Sequence, residues 1–90
     1  MSVTVKIPTQ LRSVTDGAPT AQVQGDTVAE VLDALYERFP ELRERIAPDG
    51  TLRRFVNVYV GAEDIRFLAG LETEVSAGAE VTILPAVAGG

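Results

Sequence analysis

The stretch Val81-Thr82-Ile83-Leu84-Pro85-Ala86-Val87-Ala88-Gly89-Gly90 decides how the chain is read. Val81 to Leu84 are β-branched or apolar and follow the turn residues Ser76-Ala77-Gly78-Ala79, which predicts a buried or half-buried strand. Pro85 has no N–H to give to a ladder and is expected to stop the pairing. Ala86-Val87-Ala88-Gly89-Gly90 carries neither charge nor hydroxyl, unlike a Gly/Ser spacer. From Pro85 onward, six residues can extend about 20 Å at about 3.3 Å each. Gly89 and Gly90 lack a Cβ, so their backbone fits a channel too narrow for any other residue. The expected organisation is a folded domain over 1–84 and a flexible arm over 85–90 that ends in a free carboxylate.

Working outward, 90 residues with 46% hydrophobic content make one small domain with one core. The formal charge of −5 argues against nucleic acid and against an anionic membrane surface. It suits either a protein partner with a basic docking surface or solubility alone. There is no cysteine, hence no disulfide, thiolate nucleophile or Cys-based metal site. There is no histidine either, which removes the commonest general base and zinc ligand. Met1 to Pro8 alternates, as a strand does and a signal peptide does not. No apolar run approaches the roughly 20 residues of a membrane span, so the expected location is cytoplasmic.

Val3, Val5 and Ile7 face one way and Thr4 and Lys6 the other, a half-buried strand that Pro8 ends. Asp16-Gly17 and Pro19 lie in the connection to a second strand over Thr20 to Gln24, with Val23 pointing inward. The two should form a hairpin. Thr27-Val28-Ala29-Glu30 has capping-box spacing, with Asp26 as the alternative cap. Val28, Val31, Leu32, Leu35 and Phe39 recur at three- and four-residue steps along one helical stripe. Pro40 should stop that helix, and Glu41 to Ile46 form a second short one in which Glu41 can pair with Arg45.

Pro48-Asp49-Gly50 reads as a turn. Leu52 to Val60 reads as the longest strand, with Leu52, Val56, Val58 and Val60 inward and Phe55, Asn57 and Tyr59 outward. Phe55 and Tyr59 are either a partner surface or the apolar area a domain this small exposes by necessity. Asp64 to Phe67 fits a short edge strand, and Leu71 and Val75 should anchor the loop before the last strand. One main helix cannot cover both faces of a sheet. The predicted class is α+β: two layers, a mixed sheet of four to five strands, and the helix on one face. With the apolar first and last strands as parallel central neighbours, the layout is a β-grasp, the ubiquitin-like arrangement.

Catalytic chemistry inside the chain is nearly absent. No GxxxxGK[ST] sequence cradles a triphosphate, and Glu63-Asp64 and Glu72/Glu74 are loop acids of the solvated kind. The expectation is no catalytic residue, no metal site and no cofactor bound by this chain. The group left to react is the C-terminal carboxylate, ionised at neutral pH and a poor electrophile until another protein activates it.

The end Val81 to Gly90 resembles the tail of the MoaD/ThiS family of ubiquitin-like sulfur carriers. Arg54-Phe55-Val56-Asn57-Val58-Tyr59-Val60 and Glu63-Asp64-Ile65-Arg66-Phe67 resemble the CysO branch, and Asp26-Thr27-Val28 opening the helix also fits. The resemblance implies that Gly90 is adenylated by a ubiquitin-activating-type adenylyltransferase/sulfurtransferase using ATP, then sulfurylated to a thiocarboxylate. Gly89 matches the preceding glycine, and Pro85, Ala86, Val87 and Ala88 match the arm that enters partner active sites. In the CysO branch the implied acceptor is a PLP-dependent cysteine synthase acting on O-phosphoserine, and a JAMM-type zinc metalloprotease releases the cysteine. The alternatives are the same carrier chemistry for molybdopterin, thiamin or thiosugar synthesis, or a β-grasp interaction module or modifier.

Overall fold

The computed structural model describes residues 2–50, 52–53 and 56–85. Five strands form one mixed sheet: β1 (Ser2–Lys6), β2 (Thr20–Gln24), β3 (Val56–Val60), β4 (Glu63–Asp64) and β5 (Glu80–Pro85), in the order β2-β1-β5-β3-β4. β1 pairs antiparallel with β2, Val3 opposite Val23 and Val5 opposite Ala21. β1 and β5 are parallel central neighbours, with Val5 beside Val81. Both edges of these two strands are paired and one face meets the helices, so their inward residues are shut off from water. Val3, Val5, Val81 and Ile83 are fully buried. This is the β-grasp arrangement expected.

Helix α1 (Val28–Arg38) supplies the second layer. Val28, Val31, Leu32 and Leu35 are buried against the sheet, and Phe39 packs at the margin of the core. Thr27 is the cap: its Oγ1 accepts the Glu30 N–H at 3.2 Å. The Glu30 carboxylate reaches back to the N–H of Asp26 at 2.9 Å, one residue earlier than a standard capping box would place it. Thr27→Ala should therefore cost about 1 kcal/mol and lower Tm by about 4–8 °C. A melting curve that superimposes on wild type would contradict this role.

Pro40 ends α1 and starts α2 (Pro40–Ile46), where its missing N–H costs nothing. Leu42 and Ile46 are buried, while Glu41 and Arg45 make no ion pair among the described residues. Tyr36 is half-buried on α1. Burial, then the nearby Asp33, push its phenol from 10.0 up to about 12. The folded state thus keeps the proton longer than the unfolded chain does. That contribution to stability is complete below pH 10 and is lost as pH rises toward 12. A urea midpoint unchanged across that window would contradict it.

Three segments differ from the sequence expectation. Of the strand expected over Leu52 to Val60, Val56–Val60 is strand while Leu52 and Arg53 are not; Arg53 N–H binds Ile46 C=O at 2.8 Å and Arg53 C=O accepts the Val56 N–H at 2.9 Å. The first of these bonds ties Arg53 to α2, and among the described residues β5 rather than β3 is the longest strand. The edge strand expected over Asp64 to Phe67 is only Glu63–Asp64. The Asp64 carboxylate accepts the Arg66 N–H at 2.8 Å and winds Ile65–Phe67 into a 3₁₀ turn. Thr9–Val14, to which the sequence pattern assigns no element, is a 3₁₀ helix that buries Leu11 and Val14, three residues apart.

Candidate functional site

β5 carries the chain outward. Pro85, expected to open the arm, is the last residue of β5 and lies opposite Val56 in β3. The missing N–H of proline is tolerated at a strand end. Ala86, Val87, Ala88, Gly89 and Gly90 lie outside the described residues, as does Phe55. The geometry on hand is therefore that of the sheet end from which the arm departs.

Alternation along β5 sends Val81 and Ile83 into the core and Thr82 and Leu84 onto the sheet face that no helix covers. On that face Asn57 lies opposite Leu84 and Tyr59 opposite Thr82. Leu84 is 46% exposed, and its diagonal separation from Tyr59 is about 7–8 Å, within reach of an aromatic ring. Tyr59, named from the sequence, is half-buried there. Sequence reading missed Leu84 as a surface residue, although the inward phase of Val81 and Ile83 already assigns it outward. It also missed Phe67, 87% exposed, and Leu68, both displayed by the turn that replaces the expected edge strand. The rest of the open face is polar: Lys6 pairs with Glu80 at 3.5 Å, and Ser2 Oγ donates to Gln22 Oε1 at 3.2 Å.

Two depressions flank the end of β5. One, of about 320 Å³, lies between β1 and β5 and is lined by Lys6, Pro8, Arg12 and Leu84. The other, of about 490 Å³, lies beyond β3 and is lined by Leu52, Arg53, Val56, Arg66 and Leu71. Arg12 Nε donates to Ile7 C=O at 3.2 Å and Arg66 Nη2 to Val56 C=O at 3.1 Å, which holds both guanidinium groups at this end of the sheet. Neither depression is lined, among the described residues, by a Ser, Cys, His, Asp or Glu side chain. Among the described residues no three His, Cys, Asp or Glu side chains gather as metal ligands, and no helix is long and apolar enough to cross a membrane. The arrangement can present a chain end and hold a partner surface around it.

Comparison with known proteins agrees with that geometry. A chain in the crystal structure of the Amycolatopsis orientalis BexX/CysO complex superposes with a TM-score of 0.90 at 49% identity, covering 98% of this chain and 99% of that one. Small archaeal modifier protein 1 from Methanosarcina acetivorans superposes at 0.85 with 32% identity, covering 99% and 96%. The sulfur carrier protein CysO of Mycobacterium tuberculosis is 47% identical over 93 residues, spanning the whole of both chains. The ThiS family matches residues 5–90, from the middle of β1 through Gly89-Gly90. With nearly the whole chain matched and the β-grasp sheet in place, this protein belongs to the ThiS family.

Proposed function

We propose that the protein is a sulfur carrier, a co-substrate of partner enzymes, whose terminal Gly90 is converted to a thiocarboxylate that supplies sulfur for cysteine synthesis. The observation that carries the reading is the full-length similarity to the CysO carrier, with Gly89-Gly90 inside the matched span. The absence of histidine and cysteine fits a protein that presents its own chain end and takes its catalysts from partners.

The chemistry balances as follows. The Gly90 carboxylate attacks the α-phosphorus of ATP on a ubiquitin-activating-type adenylyltransferase, and pyrophosphate leaves. Sulfide then attacks the acyl carbon and AMP leaves, which gives the thiocarboxylate directly. Its sulfur would replace the phosphate of O-phosphoserine held on a PLP-dependent cysteine synthase, forming the C–S bond as phosphate leaves. A shift of the acyl group from sulfur to nitrogen leaves cysteine amide-linked to Gly90, and a JAMM-type zinc metalloprotease hydrolyses that bond. ATP and PLP are thus used by the partners and not held by this chain, and all the steps are cytoplasmic. Residues 85–90 are the arm that enters these active sites, and the open face around Tyr59 and Leu84 is the partner surface.

The test is to incubate the thiocarboxylated chain with O-phosphoserine and a PLP-dependent cysteine synthase and weigh it intact. The expected product carries one added cysteine. A loaded chain that keeps its sulfur would assign it to another acceptor, the molybdopterin, thiamin and thiosugar routes being the candidates. Similarity to small archaeal modifier protein 1 favours a second reading, in which the activated glycine joins a lysine of another protein. Conjugates of higher mass, formed with ATP and activating enzyme and absent without Gly90, would support that one.

A further inference from the structure

An open sheet has two edges whose backbone groups can template another strand, and the two edges here differ. The β4 edge is two residues long, and both Glu63 and Asp64 are acids, which discourage an added strand. The β2 edge is five residues, Thr20-Ala21-Gln22-Val23-Gln24, with no charge, no proline and a regular register without a bulge. Its phase follows from one bond, Ile7 N–H to Pro19 C=O at 2.9 Å. Antiparallel pairs alternate between bonded and non-bonded. Ala21 and Val23 therefore turn their backbone groups to β1, and Thr20, Gln22 and Gln24 turn theirs outward.

Arg38, the last residue of α1, reaches that edge. Its Nη1 donates to Gln22 C=O at 2.9 Å, the middle of the three outward residues. The guanidinium lies over the Phe39 ring, with Cζ 5.3 Å from the centroid, which orients the planar group. The far side of the sheet shows the same contact. β4 opposes only Tyr59 and Val60, so the start of β3 extends beyond it. Counted from the bond of Gly61 N–H to Glu80 C=O, Val56 turns its carbonyl away from β5, and Arg66 Nη2 donates to it at 3.1 Å. Each stretch of edge without a charged strand thus has an arginine on a carbonyl.

We propose that Arg38 is an edge guard: by occupying the central acceptor of β2 it keeps a second copy of the chain from adding its own β2 to the sheet. The second copy is the fitting occupant because the bare edge is complementary to itself. A two-fold axis at Gln22 sets that residue opposite its counterpart and Thr20 opposite Gln24, and all of these turn their N–H and C=O groups to the edge. The Thr20, Gln22 and Gln24 side chains are exposed and neutral, so no like charges would oppose the pairing. The guard does not depend on the carrier reading.

The experiment is sedimentation equilibrium of the full chain from micromolar to millimolar concentration, for wild type, Arg38→Ala and Arg38→Ala/Gln22→Lys. To pair, each copy gives up one charge-assisted bond, worth about tenfold or more. Removing it from both should tighten dimerisation about a hundredfold or more. Wild type should stay monomeric where Arg38→Ala dimerises. Net charge opposes that result, since Arg38→Ala takes the chain from −5 to −6 (loss of one +1) and adds repulsion. Adding Gln22→Lys returns it to −5 (gain of one +1) but sets two lysines opposite each other across the axis, and should restore the monomer. Amide exchange reads the same edge: the outward N–H groups of Gln22 and Gln24 should slow with concentration in Arg38→Ala alone. Arg38 and Gln22 are exposed, so both variants should melt close to wild type. An Arg38→Ala chain that is monomeric at every concentration would overturn the guard. So would a dimer that Gln22→Lys leaves intact, or a wild type that dimerises as tightly as Arg38→Ala, because either places the association elsewhere.

Discussion

Deletion of Gly90 should abolish sulfur loading and leave the fold untouched. Every buried residue of the described core lies between Val3 and Ile83, so no part of that core is lost. What changes is reach: the new terminal carboxylate sits one residue, about 3.3 Å, short of the activating centre. A displacement of about 1 Å can already cost a reaction about 10²-fold, so a whole residue should take loading below detection. Tm should stay within about 2–4 °C of wild type, because surface changes away from packed features rarely exceed about 0.5 kcal/mol. A shortened chain that still acquires sulfur would move the reactive position away from Gly90.

Leu35→Ala should have the largest effect on stability. Leu35 is fully buried at the centre of the α1 stripe. Its truncation removes three heavy atoms from a filled core and should cost about 2–5 kcal/mol. For a domain of this length, whose total stability is about 5–13 kcal/mol, that is a large share. The urea midpoint should fall sharply with little change in slope. A loss below about 1 kcal/mol would mean that the stripe is not the inner face of the helix. Gly25 is a neighbouring constraint: a Cβ there would stand 2.8 Å from the Val31 backbone nitrogen, so the turn into α1 has no room for a side chain.

Much of this fold was legible because single local rules acted without competition. The alternation in Val3-Thr4-Val5, the Thr27 to Glu30 spacing and the Pro40 break each correspond to an observed element. The apolar first and last strands are adjacent and parallel, as their burial demands. The failures occur where a nonlocal or side-chain bond overrides pattern. Leu52 and Val56 share an apolar phase, but the Arg53 N–H is bonded to Ile46 C=O of α2 rather than to a neighbouring strand. Asp64 to Phe67 alternates like a strand until the Asp64 carboxylate captures the Arg66 amide. Leu11 and Val14 carry a three-residue period that neither the strand nor the α-helix template detects.

The candidate site divides in the same way. Gly89-Gly90 is legible from composition, since only glycine gives so thin a chain end. The surroundings of the arm are not legible, because Lys6, Arg12, Arg53 and Arg66 are scattered in sequence and meet only through strand register.

The central claim is that the chain end is loaded with sulfur. It is tested most directly by the intact mass of the protein after incubation with an activating adenylyltransferase, ATP and a sulfide source. The account predicts a gain equal to replacing one oxygen by sulfur, dependent on ATP and absent when Gly90 is deleted. A mass unchanged with several such enzymes, each shown to load another carrier, would contradict it and leave a β-grasp binding module, with Tyr59 and Leu84 the first surface to mutate.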